Sequence, residues 1–207
     1  MKALLINGSP RTNGCTHTAL EELKNTLEKE GIETELIQVG HKDIRGCIAC
    51  GKCSELGKCV FDDIVNEIAP KFAEADAFVI GAPVYYASPA GGAIAFLDRL
   101  FYSTGNIDKR MKVGAAVVSC RRGGNASSFD VLNKYFTISQ MPIASSQYWN
   151  MVYGSKAEEV RADEEGLQTM RTLGKNIAFM VKSIALGKEK YGLPEKEEKK
   201  VTSFHRK

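Results

Sequence analysis

Three short apolar runs, residues 1–6, 77–80 and 113–119, constrain the fold more than any other feature of this chain. Runs this short and this continuously apolar read as strands, the last two as strands buried on both faces. Each is followed closely by a loop, the first and third of them polar: Asn7-Gly8-Ser9-Pro10-Arg11-Thr12-Asn13-Gly14-Cys15-Thr16, Ala82-Pro83-Val84-Tyr85-Tyr86-Ala87-Ser88-Pro89, and Cys120-Arg121-Arg122-Gly123-Gly124-Asn125. An amphipathic stretch follows each loop. Ala19, Leu20, Leu23 and Leu27 predict a helix over 17–30 that stops at Gly31. Ala93, Ile94, Leu97, Leu100 and Phe101 predict one over 90–103, and a third extends to about residue 140.

Two further strands are expected, one at 33–39 near a sheet edge and the last at 142–146. Asp62-Asp63 opens another helix with Ile64, Val65, Ile68 and Phe72 on its apolar face, and Pro70 predicts a kink or restart there. A long amphipathic helix is expected over 159–186. Strands thus alternate with helices five times, which argues for an open parallel sheet with helices on both faces. Ligands of such sheets lie outside the carboxyl ends of the strands, where the three loops converge.

With 207 residues, one domain is expected over 1–186, with 41–61 as a cysteine-rich loop insertion. Residues 187–207 are dominated by Lys and Glu. They read as a flexible, solvated tail or as an arm across a second subunit, anchored by Tyr191, Leu193 and Phe204. The balance of 28 basic and 25 acidic residues gives a net charge of only +3, which predicts no nucleic-acid partner. No apolar run is long enough to span a bilayer and the first residues read as a strand, so a cytoplasmic chain with no membrane partner is expected.

The first loop suits an anion, because the first N–H groups of the following helix lack partners and the helix dipole favours negative charge. Gly8 and Gly14 are too far apart for a dinucleotide fingerprint, and no Gly-Lys-Ser/Thr ending is present. Ser9, Arg11, Asn13 and Thr16 are donors that suit one terminal phosphate. Among the histidines, His17, His41 and His205 show no metal spacing, and the latter two read as surface. No Ser-His-Asp set or carboxylate pair is visible, so no catalytic side chain is assigned.

Four of the six cysteines fall at Cys47-x2-Cys50-x2-Cys53-x5-Cys59. Three closely spaced thiolates and a fourth soon after can wrap one [4Fe–4S] cube, with Gly46, Gly51 and Gly57 allowing tight turns. Reduced thiols are the other reading; zinc is a poorer fit, because its sites usually come as two well-separated Cys pairs.

G-S-P-R-x-N-G-x-T after the first strand, C-x-x-C before a Cys-x-x-Asp-Asp helix start, G-x-P-x-Y after the third strand and Q-Y-W-N-M-V near the last resemble the flavodoxin-like NADPH-dependent FMN reductases over residues 2–186. The resemblance implies a three-layer α/β sandwich with a five-stranded parallel sheet in the order 2-1-3-4-5. It implies FMN phosphate binding by Ser9, Arg11, Asn13, Cys15, Thr16 and His17, with Cys15 and His17 acting through backbone. Pro83, Val84, Tyr85 and Tyr86 would border the isoalloxazine, and Cys120, Arg121, Gly123 and Gly124 its other edge. The tyrosines could equally be packing residues. Arg121 and Arg122 read either as solvated surface or as a catch for reduced flavin or a nicotinamide phosphate.

The four-cysteine spacing resembles that of iron–sulfur flavoproteins in the same group, which implies a cluster at Cys47, Cys50, Cys53 and Cys59 close to FMN, and a homodimer or tetramer. Two functions are therefore expected. One is an FMN-dependent oxidoreductase passing electrons from NAD(P)H to a quinone, nitro or azo compound, flavin or other small-molecule acceptor. The other is a carrier whose [4Fe–4S] cluster exchanges electrons with ferredoxin-like partners. Trp149, in segment 147–153, lines the flavin's open face or packs in the core.

Overall fold

The computed structural model describes residues 1–202, so Phe204 and His205 lie outside the described residues. β1 (Lys2–Asn7), β2 (Glu33–Gln38), β3 (Ala77–Tyr85), β5 (Val113–Cys120) and β6 (Met151–Tyr153) form a parallel sheet in the order β2-β1-β3-β5-β6. Counted alone, these five strands have the expected order. The difference is β4 (Ser88–Pro89), which folds back antiparallel on the end of β3. β3 is buried from Ala77 to Ala82 and runs into the segment expected to be loop, because the β4 hairpin pairs with its last residues.

The last strand is not at 142–146. Only Ile143 bridges to Gly114, because Pro142 has no N–H to continue a ladder, and Met151–Tyr153 pairs with the other end of β5. The edge beside β5 is thus occupied by two pieces of chain, with the largely exposed residues 145–149 between them and Asn150 O accepting from Val118 N at 2.9 Å.

α1 (Cys15–Lys29) and α7 (Glu164–Tyr191) cover one sheet face, α3 (Ile64–Glu74), α4 (Gly91–Ser103) and α5 (Asn125–Ile138) the other. Leu5, Val79 and Val117 point to the first layer and Leu4, Phe78 and Val118 to the second, as the two-residue period of strands requires. α3 runs through Pro70 without a restart. Val65, Ile68 and Phe72, all buried on one face, hold both sides of the proline against the sheet.

The long C-terminal helix is broken into α6 (Ala157–Ala162) and α7 at Asp163, whose carboxylate accepts from Gly166 N at 3.0 Å and from Tyr153 N at 2.7 Å. α7 continues past Leu186 to Tyr191, so the expected tail begins as helix. Residues 193–202 carry no regular structure. Arg110 Nη1 donates to Pro194 O at 2.9 Å and Leu193 is half-buried, while Tyr191 is exposed. No described helix is long and apolar enough to cross a membrane.

Candidate functional site

The ends of β1, β3, β5 and β6 meet at one edge of the sheet. Gly8 N donates to Gly81 O at 2.8 Å, joining the first loop to β3, and Thr16 Oγ1 pairs with Ser119 Oγ at 2.7 Å, joining it to β5. Cys15 Sγ donates to Gly154 O at 3.3 Å and Arg11 Nη1 to Ser155 O at 3.2 Å, joining it to the loop after β6. α1 starts two residues earlier than the sequence predicts, which places Cys15, Thr16 and His17 in its first turn. No backbone acceptor among the described residues takes their amide N–H groups, and the helix has neither a side-chain cap nor an acidic residue in that turn. Such N–H groups at a positive helix end fit a phosphate.

The side chains in this loop divide into two groups. Arg11 and Asn13 are exposed. Ser9 is buried and its Oγ accepts from Arg11 N at 3.2 Å, leaving the hydroxyl proton to donate. Thr16 is buried against Ser119, so its hydroxyl first serves to hold the loop. Burial raises the Cys15 thiol pKa, and the thiol is engaged by Gly154 O, which leaves a backbone role for this residue.

Residues that motif reading missed fix this loop from below. Asn7 Oδ1 accepts from Ser9 N at 3.0 Å, Asn7 Nδ2 donates to Gln38 Oε1, and Gln38 Nε2 donates to Ser9 O. Gly40 lies so close that a Cβ would fall 2.3 Å from Gly8 O and Ser9 O. Asn7 and Gln38 sit opposite each other in the β1–β2 register, which is the one signal that could have paired them.

Pro83 and Val84 are half-buried, Tyr85 is exposed and Tyr86 fully so. Tyr86 and Ala87 have φ of 50° and 59°, a two-residue hairpin turn of the left-handed kind usually made by Asn and Gly. The exposure excludes the packing reading for Tyr86. Gly124, with φ 87°, lies where a Cβ would be 2.5 Å from Ala87 Cα, and Ser127 Oγ donates to Ala87 O at 2.6 Å. The Pro83 and Cys120 loops therefore form one wall. Cys120 is buried, which raises its thiol pKa, whereas Arg121, Arg122 and Gly123 are exposed. Trp149 is exposed and packs edge-on against Tyr148 at 5.1 Å, not in the core.

The cysteine loop contains α2 (Cys53–Leu56), a short helix that the sequence did not predict. Gly51 and Gly57 take left-handed backbone; Gly46 does not, and Ala49 takes it instead with φ 53°. Cys47 and Cys50 are exposed and Cys53 and Cys59 half-buried, and all four line one small concavity with Arg99 and Tyr102. Among the described residues no three His, Cys, Asp or Glu side chains gather about a single ion position. A [4Fe–4S] cube gives each thiolate its own iron, so four thiols around a concavity are a fitting donor set. Asn66 brackets Cys59, accepting from its N–H and donating to its carbonyl, both at 3.0 Å.

Arg99 was missed entirely. It is 1% exposed, pairs with both carboxylate oxygens of Asp63, and donates through Nε to Cys59 Sγ at 3.3 Å.

The family model described as NADPH-dependent FMN reductase matches residues 1–156. An iron-sulfur flavoprotein of Methanocaldococcus jannaschii is 35% identical over 191 residues, covering 89% of this chain and 99% of that protein. RosB, solved with bound 8-demethyl-8-formylriboflavin-5′-phosphate, aligns with a TM-score of 0.69 at 17% identity, covering 100% of this chain and 94% of its own. A flavodoxin from the domain Archaea aligns with a TM-score of 0.61 at 18% identity, over 88% of this chain and 99% of its own. At these identities the structural likeness is one of fold, and it is flavodoxin-like.

Proposed function

The chain belongs to the NADPH-dependent FMN reductase family, and on that basis we propose that it is an iron–sulfur flavoprotein: an FMN-holding redox protein whose cysteine loop carries a [4Fe–4S] cluster that exchanges electrons with ferredoxin-like carriers. The observation that carries this reading is that Cys47, Cys50, Cys53 and Cys59 line a single concavity. The name of the M. jannaschii relative, which this chain matches over almost its full length, agrees with it. When bound, FMN supplies a centre able to pass one or two electrons and the cluster a one-electron centre, so no acid–base side chain is required.

The chain's own groups then have separable tasks. Ser9, Arg11, Asn13 and the N–H groups of Cys15, Thr16 and His17 hold the phosphate. The single wall made by the two joined loops borders the ring, Pro83, Val84, Tyr85 and Tyr86 from one loop and Cys120, Arg121, Gly123 and Gly124 from the other. Cys47, Cys50, Cys53 and Cys59 supply the thiolates. Ile48, Leu56, Val60 and Tyr102 are exposed apolar side chains on and around the cysteine loop, which suits a homodimer or tetramer covering it.

A second reading, NAD(P)H as donor with a quinone, nitro or azo compound or free flavin as acceptor, is favoured by one observation. Arg121 and Arg122 are exposed beside the ring wall, with no carboxylate partner among the described residues, and could attract a dinucleotide phosphate.

Anaerobic mixing separates the two. The oxidised flavin band of the full chain is followed against reduced ferredoxin and, separately, against NADPH and NADH, in the wild type and in Cys53→Ser. The first reading expects rapid bleaching by reduced ferredoxin that slows at least tenfold in Cys53→Ser. Bleaching by a reduced nicotinamide alone, equal in both proteins, overturns it in favour of the second.

A further inference from the structure

Arg99 projects from the middle of α4 and is the largest side chain among those fully buried. A guanidinium has five N–H groups, and here each has an acceptor. Nε donates to Cys59 Sγ at 3.3 Å. Nη1 donates to Asp63 Oδ2 at 2.6 Å and Arg45 O at 3.4 Å, and Nη2 to Asp63 Oδ1 at 2.9 Å and Phe61 O at 3.2 Å. Arg45 precedes the first cysteine and Phe61 follows the last, so one side chain closes both ends of the loop. The Phe61 ring lies 5.1 Å from the Arg99 guanidinium and 5.3 Å from that of Arg45.

The Asp63 pair accounts for the burial of the charge, and Asp63 also caps α3 by accepting from Val65 N. It does not account for the fifth bond. A positive N–H group aimed at one of four cysteine sulfurs is a device for favouring negative charge on that sulfur. Hydrogen bonds to ligand sulfurs are among the factors that set cluster potentials, and they stabilise the reduced, more negative state.

We propose that Arg99 is a positioning residue for the cysteine loop that, through its Nε–H bond to Cys59, raises the reduction potential of the cluster held there. The inference rests on the [4Fe–4S] reading above and goes beyond it by naming which residue sets the electron affinity of the site. Asp63 holds the guanidinium in plane, and Arg45 O and Phe61 O fix it between the two ends of the loop.

The test uses the anaerobically reconstituted full chain as wild type and as Arg99→Lys. Lysine keeps a positive charge for Asp63 but lacks the planar five-donor fork. Cluster and FMN midpoint potentials are measured together in one redox titration, with iron content and far-ultraviolet circular dichroism on the same samples. The expected result is a lower cluster potential in Arg99→Lys with the FMN potential unmoved. An iron-replete Arg99→Lys whose cluster potential equals that of wild type overturns the proposal.

Because Arg99→Lys could fail to fold, a second measurement uses wild type alone. Protein labelled with ¹⁵N-arginine is reduced and examined by pulsed electron paramagnetic resonance, and a ¹⁵N coupling to the cluster is expected. A reduced cluster with no such coupling overturns the proposal while leaving the iron–sulfur reading intact. Wild type that retains FMN but takes up no iron overturns both.

Discussion

Gly40 has no room for a methyl group: a Cβ there would sit 2.3 Å from backbone atoms of Gly8 and Ser9. Gly40→Ala must push the first loop off its seat, so FMN affinity is expected to fall at least tenfold and stability by about 1–3 kcal/mol. Fluorescence titration of the apoprotein and thermal melting check the two effects separately. Nothing in a single sequence distinguishes this glycine from a turn residue, because the atoms it must avoid are more than thirty positions away. Tyr135 is a second case. Burial, aided by the bond to Asp98, raises its phenol pKa. The folded chain therefore keeps the Tyr135 proton after the unfolded chain loses it. The stability this contributes is complete below the ordinary phenol pKa of about 10 and is lost as pH rises above it. Urea melts should show the stability difference between wild type and Tyr135→Phe constant up to about pH 9. It should then move against wild type as pH rises further. A flat difference through pH 11 would contradict the assignment.

At the scale of elements, the hairpin joining β3 and β4 is held to the start of α5 by Gly124. Gly124 has φ 87°, and a Cβ would lie 2.5 Å from Ala87 Cα and 2.9 Å from Val84 Cγ1. Gly124→Ala combines backbone strain with a backbone clash, and about 2–3 kcal/mol of stability is expected to go. The visible spectrum of bound flavin should shift in the same variant, because the wall moves; chemical denaturation and absorbance scans read both. Elements set by local pattern were legible. β1, β5, α1 and α4 lie within two residues of their expected ends, because apolar periodicity and loop chemistry are local signals. The errors arose where pairing decided the outcome. Residues 142–146 look like a strand, yet Pro142 limits them to one bridge, and the shorter Met151–Tyr153 takes the ladder. Pro70 alone allows a restart, but α3 is continuous through it, with Val65, Ile68 and Phe72 buried on both sides.

Across the whole molecule, two candidate sites share one fold. The donors of the proposed phosphate loop, Ser9, Arg11 and Asn13, are neighbours in sequence and stand out there. The four cysteines were equally plain, but what holds them was not. Arg99 reaches Cys59, Asp63 and Arg45 across 40, 36 and 54 positions, and a lone arginine in an amphipathic helix gives no sign of such partners. The central claim is that the flavodoxin-like domain and the cysteine loop each hold a redox centre in the same chain. The most direct measurement is the iron, sulfide and flavin content of the full chain, purified and reconstituted without oxygen, with its visible spectrum. The expected result is about four iron, four sulfide and one FMN per chain, with broad absorption beyond the flavin bands. One FMN per chain with no iron and no sulfide after reconstitution would contradict it.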